Sequence, residues 1–301
     1  MTRHIPIGIK ISPQAVDWTT LDQMWARIGT YGVFESVWMN DHLTDISFDR
    51  GGASFEALTT MAALAHHVPG RWLGHAVLSN TFRHPSLLAK AATVMAHVTG
   101  GRFIVGLGAG WHEGEHVTLG IPLPPMRERF DRFESAVHVL RALWSPEAAA
   151  PPGVTRPDSF YPLDGATNEP PPPDGGTPRL WLGAGRRRGI ALTAEFADGW
   201  VMPAVDVLSG RPTDLDDFSN GRDAILERLE AIGRDPASFD FGAQVPAGTT
   251  AEDRAKALAA AHEALRRGAT HLIINVRPRI GPDGVDAVAS DIAEPLRQAI
   301  G

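Results

Sequence analysis

The stretch Gly101 to His116, GRFIVGLGAGWHEGEH, concentrates the groups in this chain that could do chemistry. A short apolar strand candidate, Arg102 to Leu107, runs through three alternating glycines, Gly106, Gly108 and Gly110, into Trp111, His112 and two carboxylates. Glycines remove side chains so that a backbone can approach a flat ligand, and the polar groups that follow place acid and base at its rim. The stretch therefore reads as the wall of a cofactor site. Within it His112, Glu113 and His116 spell H-E-x-x-H, which on a regular helix puts two zinc ligands on one face with the Glu as base. Gly108 and Gly110 precede the motif and Gly114 interrupts it, which works against the long helix a zinc site needs, so no metal is expected.

Three other segments carry candidate groups. Asn40, Asp41 and His42 end a strand-like run; Asp beside His is either an oriented acid–base pair or a turn Asp next to a solvated His. Ser79, Asn80 and Thr81 in LSNTFRHP form either a bulge that props a ligand or a polar loop before a helix cap, and the residues alone favour the loop. In LGAGRRRG, the backbone N–H groups of Gly183, Ala184 and Gly185 precede a helix start bearing Arg186, Arg187 and Arg188. That combination suits an anion, phosphate above all, and also suits a tight turn with solvated arginines.

The elements that must position these segments alternate along the chain. Strand-like runs at Ile5 to Ile11, Ser36 to Met39, Arg71 to Leu78, Arg102 to Leu107, Arg179 to Leu182, Gly199 to Met202, Phe239 to Val245 and His271 to Val276 are each followed by an apolar stripe at helical spacing. The helix after the third strand opens at Pro85 with Leu88, Ala91, Met95 and Val98 on one face, and the seventh opens with Thr249 and Glu252 at capping-box spacing. Eight such units predict a (β/α)8 TIM barrel, since parallel strands need crossover helices and eight close a ring. An open doubly wound sheet is the competitor, but it wants a glycine fingerprint after its first strand. Residues 145–178 hold ten of the 24 prolines and supply neither a central strand nor a long helix, so they are expected as an insertion after the fourth unit of a single domain spanning 1–301.

Composition narrows the function. With 43% hydrophobic and 21% charged residues among 301, the chain can bury a large core. A net charge of −7 without a clustered basic face argues against nucleic acid. The lack of cysteine excludes disulfides and thiolate chemistry. The N-terminal MTRHIPIGIKI has no apolar signal core and no apolar run reaches bilayer length, so the expected location is the cytoplasm, away from membranes.

Taken together, ESVWMNDHL (Glu35 to Leu43), LGHAVLSNTFRHPSLLAK (Leu73 to Lys90), Gly100 to His116, LGIPLPPMRERFDRFESAVHVLRALW (ending at Trp144), WLGAG (Trp181 to Gly185) and ADGWV (Ala197 to Val201) resemble the bacterial-luciferase-like oxidoreductases. Within that family the resemblance is to the branch using the 8-hydroxy-5-deazaflavin coenzyme F420. It implies a flavin-like ring at the C-terminal mouth of the barrel, with Asp41 and His42 beside it, a cis-peptide bulge near Ser79 and Asn80, and Thr81 among the cofactor-binding residues. It further implies that Gly108, Ala109, Gly110, Trp111 and His112 line the cofactor, and that Gly183, Ala184, Gly185, Arg186 and Arg187 take its phosphate. His42 and Glu113 become the groups near the reacting carbon. The activity implied is hydride transfer between F420 and a small organic substrate, by a homodimer. An FMN-dependent monooxygenase on the same barrel is the alternative, with a zinc hydrolase or a non-catalytic cofactor-binding protein behind it. Met95, Ala96 and His97 stand where many relatives carry an Asp.

Overall fold

The computed structural model describes residues 3–46, 52–173, 177–202 and 213–301. In chain order the strands are β1 (Ile7–Ile11), β2 (Ser36–Met39), β3 (Trp72–His75), β4 (Leu78–Ser79), β5 (Phe103–Gly108), β6 (Val154–Arg156), β7 (Leu163–Ala166), β8 (Arg179–Leu182), β9 (Gly199–Val201), β10 (Asp240–Pro246) and β11 (His271–Val276). The helices are α1 (Trp18–Gly29), α2 (Ala57–Leu64), α3 (Pro85–Thr99), α4 (Glu113–Leu119), α5 (Met126–Leu143), α6 (Arg187–Phe196), α7 (Leu215–Ala231), α8 (Ala251–Arg266), α9 (Gly281–Val288) and α10 (Glu294–Ile300). Parallel pairing runs β3, β2, β1, β11, β10, β9, β8, β5, and β5 pairs back to β3, which closes an eight-stranded (β/α)8 barrel. No helix among the described residues is long and apolar enough to cross a membrane.

The third barrel strand is made of two pieces, β3 and β4, on either side of a cis peptide between Ala76 and Val77. The sequence reading puts that bond near Ser79 and Asn80; the structure places it earlier. Leu78 and Ser79 pair with Leu107 and Gly108 of β5, so the backbone there is extended and the break falls before it. The capping box of α8 is also displaced by one residue. Thr250 and Asp253, not Thr249 and Glu252, exchange the side-chain to backbone bonds. On α3 the buried face is Leu88, Ala89, Ala92, Met95 and Ala96, whereas Val98 is 52% exposed. Small alanines let α3 pack closely on its neighbours, and that rotates the stripe away from Val98.

The proline-rich segment between α5 and β8 forms a short 3-10 turn and the antiparallel hairpin β6–β7, leaving the barrel sheet uninterrupted. Its Asn168 donates to Thr93 on α3 at 2.9 Å, and Tyr161 packs edge-on against His84. Residues 174–176 of this segment lie outside the described residues, as do 203–212.

Strand alternation divides β1 between two environments. Ile7, Ile9 and Ile11 join the apolar layer between barrel and helices, so Gly8 and Lys10 face the interior. That interior is filled by Trp38 and Trp181, both fully buried, with ring centroids 5.2 Å apart, packed with Ala76, Ile104, Val201 and Ile273. Glycines on four other strands make the room. A Cβ on Gly74 would lie 2.5 Å from Trp38, and one on Gly199 or Gly242 would lie 2.5 or 2.7 Å from Trp181. On Gly8 it would lie 2.7 Å from the Trp38 indole nitrogen. Overpacking of this kind costs about 1–3 kcal/mol, so Gly74→Ala is expected to lower the urea unfolding midpoint by a corresponding amount with an unchanged slope. An unchanged midpoint would show that the indole has room to move.

Candidate active site

Above the indole layer the loops that follow β2, β4 and β5 are joined to one another by buried polar contacts. Asp41 is 3% exposed. Its Oδ2 accepts the Ser79 N–H at 2.9 Å and Arg83 Nη1 at 2.6 Å, while Oδ1 accepts Arg83 Nη2 at 2.8 Å. Arg83 also reaches Glu56. Burial works against the guanidinium's charge, but Asp41 and Glu56 outweigh it and hold Arg83 well above its usual range. A two-pronged guanidinium and a backbone N–H engage both Asp41 oxygens, so this carboxylate ties β4 to the β2 loop.

His42 Nδ1 lies 2.7 Å from Glu115 Oε2, and the Glu115 side chain is fully buried. Glu115 Oε1 accepts the Leu43 and Thr44 N–H groups at 2.7 and 3.0 Å. Burial pushes the Glu115 carboxyl up, but the His42 hydrogen bond and charge, with the two backbone donors, outweigh it and leave the group below its ordinary value. A carboxylate only accepts, so Nδ1 carries a hydrogen, and whenever the ring is neutral its lone pair lies on Nε2. Glu113, the carboxylate expected beside His42, instead lies exposed in the first turn of α4. Helical geometry decides between the two: with His112 as N-cap, accepting the Glu115 N–H at 3.2 Å, Glu115 and His116 turn inward and Glu113 outward.

The remaining predicted residues separate in the same way. His116 lies between the His112 carbonyl and Thr81, at 2.7 and 2.8 Å, and Thr81 in turn bonds Ser79 at 2.7 Å. These groups hold the glycine loop: a Cβ on Gly110 would sit 2.5 Å from Thr81 Oγ1 and 2.7 Å from Ser79 Oγ. His112 and His116 thus point to different partners, and among the described residues no cluster of three or more metal-ligating side chains forms. Val77 fills the space over Gly108 and Gly183, where a Cβ would come within 2.8 and 2.9 Å of it. Trp111 is 41% exposed, its ring 6.0 Å from that of His42. Ala109 is partly buried against the core. Gly183 spends its N–H on the Leu107 carbonyl, which narrows the expected anion cradle to the backbone of Ala184 and Gly185 at the start of α6. Arg186 and Arg187 are exposed there, while Arg188 pairs with Asp131 and Glu134 of α5.

Asn80 is 4% exposed and its Oδ1 has no hydrogen-bond partner among the described residues. It lines a cavity of about 700 Å³ with Thr81, Arg129, Arg132 and Tyr161. Arg129, 9% exposed, donates to the carbonyls of Gly110 and Pro124 at 3.0 and 3.1 Å, and among the described residues it forms no ion pair. No sequence motif marks Lys10, Arg83, Glu115 or Arg129, whose partners are brought to them by the fold. The one local signal was the three-residue offset of Glu115 from a capping His112.

The depressed Glu115 carboxyl sets an acid dependence of stability. Its contribution is fully present above the ordinary value of 4.5 and is lost as the pH falls through the lower folded-state value. Glu115→Gln is therefore expected to remove part of the acid limb of a urea-midpoint profile below that pH. Parallel profiles for the two proteins would refute the assignment.

A family model for luciferase-like monooxygenases matches residues 23–298. Among curated relatives, a phthiodiolone/phenolphthiodiolone dimycocerosates ketoreductase of Mycobacterium bovis is 32% identical over 62% of this chain and 46% of its own. An F420-dependent glucose-6-phosphate dehydrogenase of Nakamurella multipartita is 30% identical over 65% of this chain and 56% of its own. The chain thus spans about half the length of the curated relatives it matches. A solved F420-dependent secondary alcohol dehydrogenase, in complex with an F420–acetone adduct, superposes with a TM-score of 0.76 at 19% identity, covering 96% of this chain and 99% of that one. With the barrel closed, the mouth loops joined and the family model matched from the first helix to the last, the chain belongs to the luciferase-like monooxygenase family.

Proposed function

We propose that the chain is a single-domain, cytoplasmic oxidoreductase that binds coenzyme F420 at the barrel mouth and moves hydride between it and a small alcohol or ketone. The observation that carries this reading is the buried Glu115 that orients His42 at the mouth. The names of the relatives, a ketoreductase and two F420-dependent dehydrogenases, support the choice of cofactor and substrate class.

The residues present suit a flat ring with polar edges and an acidic tail. Val77 over Gly108 and Gly183 makes an apolar floor, and the Oδ1 atoms of Asn40 and Asn80 are buried without partners among the described residues. In this reading the Gly108–Gly110 backbone, Trp111 and Asn80 hold the ring edge and the start of α6 takes the phosphate. The cavity beside Arg129 and Arg132 takes the tail carboxylates. The bound coenzyme supplies a carbon that accepts or donates hydride. His42 Nε2 takes the hydroxyl proton as the hydride leaves the carbinol carbon, and the buried Glu115 carboxylate stabilises the imidazolium so formed. In the reverse direction the imidazolium returns that proton to the ketone oxygen.

Fluorescence titration of the purified protein is expected to show binding of F420. Tight binding of FMN with none of F420 would overturn the reading in favour of a flavin monooxygenase. His42→Asn is expected to retain F420 binding and lose turnover of an alcohol by about 10²–10⁴-fold, the range for a removed general base.

The homodimer is proposed on α3. Leu87, Val94 and Val98 are 63%, 58% and 52% exposed and share one side of that helix, an apolar stripe suited to its copy in a second chain. Light scattering is expected to give twice the chain mass for the unaltered protein and the single mass for Val94→Glu. A monomeric unaltered protein would refute this.

A further inference from the structure

Lys10 is a charged group inside the barrel for which the acid–base chemistry above has no use. It is 8% exposed, and it faces inward because Ile9 and Ile11 on either side of it face the helices. Its Nζ donates to Gln244 Oε1 at 2.6 Å and to the Ala76 carbonyl at 3.4 Å. Both partners lie toward the C-terminal ends of the strands: Ala76 follows β3, and Gln244 donates on to the carbonyl of Met202, just past β9, at 2.9 Å. Asn275, level with Lys10 on the adjacent β11, donates to the same Gln244 oxygen at 3.3 Å. The groups around the ammonium are thus two side-chain amides and a backbone carbonyl.

Among the described residues no carboxylate comes within ion-pair distance of Lys10, and burial alone pushes it down to about 8. Taking an ammonium out of water is costly, and two neutral acceptors return only part of the loss. The indoles of Trp38 and Trp181 fill the barrel interior, and the hydrogen-bond partners of Lys10 lie toward the mouth end of the strands. A buried cation that has only neutral partners among the described residues, all of them toward the mouth end of the strands, suits a ligand that brings negative charge with its ring.

We propose that Lys10 determines cofactor choice, by favouring a ring that carries negative charge, the ionised 8-hydroxy-5-deazaflavin of F420, over the neutral oxidised isoalloxazine of FMN. The inference rests on the reading that the mouth binds F420. It assigns Lys10 a role in binding and selection, distinct from the proton transfer given to His42.

The test compares dissociation constants of oxidised F420 and of FMN for the unaltered protein and for Lys10→Met, with the unfolding midpoint of each protein measured without ligand. Lys10→Met is expected to weaken F420 binding by about 10- to 100-fold, the range for loss of a charged hydrogen bond, while FMN binding changes by less than about twofold. Its ligand-free midpoint is expected to stay level or rise, because an uncompensated buried charge has been removed. Lys10→Gln, which keeps polarity without charge, is the second variant should the methionine protein not fold, and it is expected to show the same selective loss. Equal loss for both cofactors, or unchanged F420 binding with a lowered midpoint, would make Lys10 a structural group and overturn the proposal. Failure of the unaltered protein to bind F420 would instead bring down the functional reading, and this inference with it.

Discussion

Two indoles wedged into one barrel are the constraint on which the rest of the molecule depends. Trp38 and Trp181 fill the interior at the level where the strands would otherwise leave space, and they fit because Gly8, Gly74, Gly199 and Gly242 present no side chain to them. A barrel packed in this way has no through-channel, so chemistry is confined to the C-terminal mouth. The same packing removes water from beneath the mouth, which raises the cost of every charge placed there and the strength of every contact that compensates it.

The mouth shows how that cost is met. Asp41 and Glu115 are both buried carboxylates, each held by one basic side chain and by backbone, Asp41 by the Ser79 N–H of β4 and Glu115 by the Leu43 and Thr44 N–H groups. An unpaired carboxylate at either position would be expensive, so these contacts lock the β2 loop to β4 and to α4 as firmly as apolar packing would. The result is a rigid frame in which the His42 ring has one nitrogen committed to Glu115. Among the described residues the Asn80 carbonyl oxygen and the Arg129 charge lack such compensation and line the cavity beside the mouth, while Lys10 inside the barrel has only neutral partners.

Much of this was legible in the residues. Periodicity identified eight strand–helix units because apolar alternation and helical stripes are local patterns, and the proline count marked residues 145–178 as outside the barrel sheet. Glycine spacing marked the β5 loop as a place of close approach. Boundaries were less legible: the α8 cap is displaced by one residue and the cis peptide lies at Ala76–Val77, because pairing with a distant strand, not local preference, sets where an extended backbone ends.

The sequence by itself determined the fold class, the absence of thiol chemistry, and the stretches that supply functional groups, since these follow from composition and from periods of two and of three to four residues. Only the tertiary structure decided which side chain in each stretch does what. Glu113 and Glu115 are two residues apart and chemically alike, yet the helical turn exposes one and delivers the other to His42, 73 positions away in the chain. Nothing local in the sequence relates Asp41 to Arg83, yet the fold sets that guanidinium across both its oxygens. Lys10 looked like one polar residue in an alternating strand until barrel closure placed it inside, with amides for neighbours. Such partnerships are set by closure of the ring, which joins residues that no local pattern relates.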